Sequence, residues 1–331
     1  MRRGLLPPAL MTLLIVALGA YAAASQSAFL SRSNLNSLLL EAMPLVLVSM
    51  GQATALLVGG FDVSVAALMT MCVVTASFTL TPGMSTAALV PGALAVVGVG
   101  LATGIFNALL IRVFRLPSII ATLGTLSVLE GASLLLRSYP TGAINTDVTS
   151  TLTDGVSFVP LAFVGVVVLA LAADAWLYRT SGGLAFRAVG LDATSSRRLG
   201  RATGRVVVLA FVVCSVFAAV AGFYLAAEVQ IGSPIVGNEA LESIAAAVLG
   251  GASLAGGKGS YVGTLLAAFF LTEINNILPL FQQPTEYAEM TIGVLILLAL
   301  VLYQAPELVS RFRASRRKVP ALAAPGEASA A

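Results

Sequence analysis

Histidine is absent from this 331-residue chain, and cysteine occurs only twice. Without imidazole the commonest proton shuttle and metal ligand is missing, which excludes imidazole-based catalysis. Cys72 and Cys214 each lie inside an apolar run with no neighbour at metal-ligand spacing, so both read as packing residues and not as a disulfide framework. Charge is scarce as well: 10% of the residues are charged and 58% hydrophobic, with a mean hydropathy of +0.97. A soluble domain carries about 25% charged residues. So little charge over this length cannot cover a water-facing globule, and the bilayer must be the solvent. There, unpaired backbone amides restrict spanning structures to helices and closed barrels. The apolar runs are continuous and lack an alternation of period two, which excludes barrel strands. The expected fold class is an all-α polytopic membrane protein.

A helix needs about 20 apolar residues to cross the hydrocarbon core. Ten stretches are candidates: Leu6–Phe29, Leu38–Val58, Val63–Leu80, Ala88–Ile111, Ser118–Leu136, Val156–Tyr178, Val206–Ala227, the shorter Leu241–Leu254, Gly259–Leu280 and Tyr287–Gln304; only Gly59-Gly60-Phe61-Asp62 parts the second from the third. The basic residues test that count, because cytoplasmic loops accumulate Lys and Arg. With ten spans and both termini inside, all of the 18 Lys and Arg except Arg32 and Arg137 fall on the cytoplasmic side. Merging one pair of spans would export the long basic loop; losing two together leaves eight spans as the alternative. The N-terminus also resembles a signal peptide ending at Ala22-Ala23-Ala24-Ser25, but its apolar stretch is long, and an uncleaved first helix is expected. Residues 1–305 therefore form the transmembrane domain, and 306–331, basic and then Ala/Pro-rich, a disordered cytoplasmic tail.

Four segments depart from a plain bundle. The first is Gly59-Gly60-Phe61-Asp62-Val63-Ser64, in which paired glycines let the backbone leave the helix. Asp62 is placed either to cap the next helix at Ser64 and Val65 or to line a polar path. The second runs from Asn107 through Arg112 and Arg115 to Pro117, Thr122, Gly124 and Thr125; it offers an interhelical hydrogen-bonder and a small, weakly polar face. The third is the loop 179–205, basic with Asp192 as its lone acid, whose stretch Leu184–Leu199 is expected to form one or two short amphipathic helices that dock a cytoplasmic partner.

The fourth departure is the glycine-rich turn holding Gly250, Gly251, Gly256, Gly257 and Gly259. A phosphate-binding loop would need glycine in place of Ala252 and Ser or Thr in place of Gly259. With neither residue present, and with apolar spans on both sides, the segment reads as a tight re-entrant turn. Glu130 and Glu273 lie within spans but have no basic or imidazole partner there, so interhelical hydrogen bonding is expected of them before a proton relay. No metal site and no cofactor are expected in this chain.

Taken in order, GGFDVSV, GIFNALL, LPSIIATLGTLSVLEG, GLAFRAVGLDATSSRRLG and ALESIAAAVLGGASLAGGKGSYVGTLL resemble the permease family of bacterial ATP-binding-cassette importers for ribose, xylose and arabinose. The likeness extends from about Asn34 to Tyr303. It implies a multi-pass protein of the bacterial inner membrane whose ten-helix fold is like that of vitamin B12-type permeases. It also implies partners: a second permease copy, a cytoplasmic ATPase carrying ATP and Mg, and an extracytoplasmic solute-binding protein. Nucleic acid is not among them. By position, Arg187, Ala188, Val189, Gly190, Asp192 and Gly200 fall on the family's ATPase-contacting loop, and Gly59, Gly60, Asp62, Ser64, Asn107, Thr122 and Thr125 on segments near its translocation path. Where the family usually has Asn-Gly, Asn and Ala-Ala, this chain has Asn107-Ala108, Asp192 and Ser195-Ser196. The chain itself is then no enzyme. A monosaccharide is the expected solute; nucleosides, branched-chain amino acids, and an ion-coupled carrier using Glu130 or Glu273 are the alternatives.

Overall fold

A computed structural model describes residues 6–235 and 239–284, together with 286–287, 290–291 and 293–295. The chain enters through α1 (Leu6–Ser25) and returns through α2 (Arg32–Leu57). After the glycine pair come the shorter α3 (Val65–Thr79), then α4 (Thr86–Arg112) and α5 (Ser118–Leu136). A small cap follows, made of β1 (Thr141–Ala143), α6 (Thr146–Thr153), β2 (Gly155–Val156) and β3 (Val159–Pro160). Next are α7 (Leu161–Arg179), the arm helices α8 (Ser181–Leu191) and α9 (Ala193–Arg198), and α10 (Thr203–Val229). The strand β4 (Ile231–Gly232) pairs antiparallel with β1 at the end of the bundle opposite the arm. The described helices close with α11 (Glu239–Leu249) and α12 (Tyr261–Leu280).

Among the described residues, seven helices are long and apolar enough to cross a membrane: α1, α2, α4, α5, α7, α10 and α12. In α2, 83% of the span lies buried inside the protein, whereas in α1 the share is 11% and in α7 17%. Peripheral helices that are apolar all round while mostly exposed have lipid, not water, as their neighbour. The core is built where α2 packs on α10, α11 and α12, and where α10 packs on α3 and α4. Small residues permit these close approaches. A Cβ at Gly51 would meet the Cys214 carbonyl at 2.8 Å, and one at Gly222 the Met69 carbonyl at 2.8 Å.

Several expected boundaries move. The stretch 156–160 leaves the sixth span, because the backbone there turns into the β2–β3 pair before Pro160 precedes α7. Leu241–Leu254 shortens to the 11-residue α11, which stops at Gly250, and the ninth span starts at Tyr261 after Ser260 caps it. The pair formed by β1 and β4, and the polar helix α6, have no counterpart in the apolar periodicity. The expected span Tyr287–Gln304 lies largely outside the described residues, and the 306–331 tail lies wholly outside them. The arm meets expectation: both short helices form between Arg179 and Arg205.

Candidate functional site

The glycine pair breaks the chain after α2, since Gly59 has a φ of +76°, a region that favours glycine. At Gly60 a Cβ would meet the Phe211 ring of α10 at 2.7 Å, so the exit from the helix passes directly over that aromatic face. Freed of its helix, the segment 61–64 finds backbone partners on α5 and side-chain partners on α4. The Phe61 N–H donates to Ser118 Oγ at 3.1 Å, and the Val63 N–H to Thr122 Oγ1 at 3.2 Å, both on α5. Asp62 Oδ1 accepts from the Ser64 N–H at 3.0 Å and from its hydroxyl at 2.5 Å. Asn107 of α4 donates to Ser64 Oγ at 3.0 Å and to Asp62 Oδ2 at 3.4 Å, while Thr125 donates to Asn107 Oδ1 at 2.6 Å.

The polar residues assigned from sequence to the path thus converge on one network. Asp62, Ser64, Asn107 and Thr122 are fully buried, and every side chain in it has a protein partner. In water-free surroundings such mutual satisfaction holds the broken segment against α4 and α5. Asp62 accepts from the Ser64 amide just ahead of α3, the Ser64 half of the capping role that sequence spacing offered as one of two.

At a second junction, around Leu57 and Gly59, three glycine-bearing segments meet. A Cβ on Gly190 of α8 would collide with the Leu57 carbonyl and the Gly257 amide. The Gly257 N–H donates to that same carbonyl at 2.9 Å. A Cβ on Gly256 would lie 2.7 Å from the Gly190 carbonyl and 3.0 Å from the Gly59 amide. The arm, the break after α2 and the glycine-rich turn therefore touch backbone to backbone, a contact that only missing side chains allow. At the start of the turn a Cβ on Gly250 would strike Thr264, so α11 and α12 also come together there; Gly251 takes a φ of +104°.

Sequence reasoning missed the brace beside this junction. The Asp174 carboxylate of α7 accepts from the Tyr261 N–H at 2.7 Å, from the Ser260 hydroxyl at 2.9 Å and from the Val262 N–H at 3.4 Å, holding the N-terminus of α12. Negative charge at a helix N-terminus is stabilising. Tyr178 donates to the Gly259 carbonyl at 2.7 Å, and the Arg187 guanidinium lies 4.8 Å from the Tyr178 ring centre. A lone carboxylate inside an apolar span was the signal available for Asp174.

The arm presents two faces. Ala185, Phe186 and Val189 are buried against the bundle, with Phe186 edge-on to Trp176 at 5.2 Å, while Arg187 and Ala188 are half-buried. Outward lie Leu184, Leu191 and Leu199, the last 83% exposed, together with Asp192, Arg197, Arg198 and Gly200. Asp192 caps α9 by accepting from the N–H groups of Thr194 and Ser195 at 2.8 and 3.1 Å. The Ser195 hydroxyl, and then the Ser195 and Thr194 amides, hold its carboxyl below the usual carboxylate range. Exposed leucines thus stand beside exposed arginines on the outer side of the arm.

Glu130 and Glu273 do not come together. Glu130 is exposed on α5, which packs on α3 and α4, while Glu273 is buried on α12, which packs on α1, α2, α7 and α11. No group of three or more His, Cys, Asp or Glu suited to a metal occurs among the described residues.

A bundle with seven helices long and apolar enough to span, and a basic helical arm packed on a broken helix, has the architecture of a multi-pass helical membrane protein. The family model described as branched-chain amino acid transport system / permease component matches residues 34–300, and the chain belongs to that family. The resemblance drawn from its motifs is borne out. The chain is 35% identical over 302 residues to the autoinducer 2 import system permease protein LsrC of Enterobacter sp. (strain 638), covering 88% of this chain and 84% of that protein. Proteins of the same name from Yersinia pseudotuberculosis serotype O:3 (strain YPIII) and Yersinia pestis are 34% identical over 265 residues, covering 79% of this chain and 74% of each. No solved structure matches the chain.

Proposed function

We propose that this chain is the membrane-spanning permease subunit of an ATP-binding-cassette importer for a small hydroxyl-rich solute, a monosaccharide or autoinducer 2. The observation that carries the reading is the contact of Gly190 with Leu57 and Gly257, which ties an exposed arm to the break in α2 and to the turn before α12. A cytoplasmic ATPase grips the outer face of the arm at Leu184, Leu191, Asp192 and Leu199. Displacement of α8 is then passed through backbone contacts to α2, and through the Asp174 brace to α12, shifting the bundle between inward-open and outward-open states. An extracytoplasmic binding protein delivers solute at the end capped by β1 and β4, a second permease copy completes the pair, and both termini face the cytoplasm.

The test is uptake into liposomes holding the permease with its ATPase and binding protein. ATP-dependent accumulation of autoinducer 2, ribose, xylose or arabinose that persists with an uncoupler is expected. Uptake that needs no ATP and collapses with the uncoupler refutes the reading in favour of an ion-coupled carrier. Uptake of leucine or a nucleoside alone reassigns the solute.

A further inference from the structure

In the network around Asp62 every polar side chain has a partner, which marks it as structural. About one to two turns before α2 ends at Leu57, the opposite holds. Gln52 is fully buried, and both its amide oxygen and its amide nitrogen lack a hydrogen-bond partner among the described residues. Ser49, also fully buried, has no partner for its hydroxyl and does not bond back to the preceding turn, as Thr54 does to the Met50 carbonyl at 3.0 Å. Buried polar groups with no partner are costly in any interior, and more so where no water can enter. A spacing of three residues puts Ser49 and Gln52 on one face of α2, and Leu56, four further on, continues that stripe. Leu56 and Ala53 pack against Ala247, Val248 and Ala252, so this face is closed by α11 and the turn that follows it.

The segment closing it is short and ends in the glycine-rich turn. α11 has 11 residues, and the glycine-rich turn after it touches Gly190 of the arm through Gly256. Motion of α8 therefore reaches α11 as well as α2. Between Glu41 and Leu57 the α2 sequence carries no charge, and the acids of α11, Glu239 and Glu242, sit in its first turn, away from Val248.

We propose that Gln52 and Ser49 form a solute seat on the seam between α2 and α11, closed in this structure, whose amide and hydroxyl pair with the hydroxyl groups of a neutral polyhydroxylated molecule when the seam opens. A carboxamide offers donors and an acceptor together, matching adjacent hydroxyls, each of which both gives and takes a hydrogen bond. An uncharged seat offers no counter-charge to the ammonium and carboxylate of an amino acid. The proposal deepens the importer reading above and rests on it.

The complete complex in liposomes, assayed with autoinducer 2, ribose, xylose and arabinose in turn, tests the seat. Gln52→Leu is expected to raise KM about tenfold for the compound that the wild type takes up, the loss of one well-placed hydrogen bond. Its melting temperature should equal or exceed that of the wild type, because an unpaired amide has been removed from the interior. Gln52→Cys is expected to react with a water-soluble methanethiosulfonate during ATP turnover, and the transported compound to slow that reaction; the buried Cys72 and Cys214 of the wild type set the background. Unchanged KM in Gln52→Leu, a lowered melting temperature that accompanies the loss of uptake, or a Gln52→Cys thiol unreactive in both resting and working complexes overturns the seat. A wild-type complex that takes up none of the four compounds refutes the hydroxyl-rich solute of the importer reading instead, and reactivity at position 52 then decides the seat by water access alone.

Discussion

Replacing Gly190 with alanine adds one methyl group where the structure has no room for it. The new carbon would run into the Leu57 carbonyl and the Gly257 amide, both backbone, so no side chain can rotate away. The arm must lift, and the 2.9 Å hydrogen bond between Gly257 and Leu57 must stretch or break. Overpacking costs about 1–3 kcal/mol and the lost hydrogen bond about 0.5–1.5 kcal/mol, together about 1.5–4.5 kcal/mol. That weakens docking of α8 on the bundle by roughly 10- to 2,000-fold. The damage is local, since the packing of α2 against α10 and α12 does not pass through Gly190. Membrane insertion and yield should therefore be retained while ATP-driven uptake falls at least tenfold, with ATP hydrolysis continuing uncoupled from transport. Gly165→Ala on α7, where a Cβ would meet nothing within 4 Å, is the control and should behave as wild type. Wild-type uptake by the Gly190→Ala complex would refute the reasoning, because the backbone junction would then carry no motion.

Two further outcomes follow from the brace and the arm. Asp174→Ala removes the acceptor for Ser260, Tyr261 and Val262, and should lower stability by about 1–3 kcal/mol, read as a fall in the melting temperature of the detergent-solubilised protein, with Asn restoring part of it. For Asp192 the sign is set by a carboxyl held below its ordinary value, so the folded arm is favoured at pH above the unfolded carboxyl's value of about 3.9 and loses that support as pH falls through the lower folded value. Amide-exchange protection of 193–198 should stay constant from neutral pH down to about 4, and should drop at pH 7 in Asp192→Ala but not in Asp192→Asn.

Much of the site was legible because its residues differ chemically from their surroundings. Asp62, Asn107, Thr122 and Thr125 stand out as polar groups in apolar spans, and the structure gathers them with Ser64 into one network. The arm showed itself by its arginines and its length. Asp174 was equally visible as a charge in an apolar helix, but its meaning depends on α12 beginning beside it, a relation across 87 residues that no local pattern encodes. The exposed leucines of the arm were invisible for the opposite reason: apolar residues in an apolar chain carry no signal until a surface shows which of them lack cover.

The sequence alone determined the solvent and the class of element, because too few charges to face water and continuous apolar runs leave only helices in lipid. It also determined where helices must break, since a glycine pair and a glycine-rich turn act on the backbone locally. Which of those breaks touch, and that Gly190 presses between Leu57 and Gly257, was decided only by the tertiary structure. A glycine states that a side chain is missing; which neighbour fills the vacated space depends on how helices far apart in the chain pack against one another.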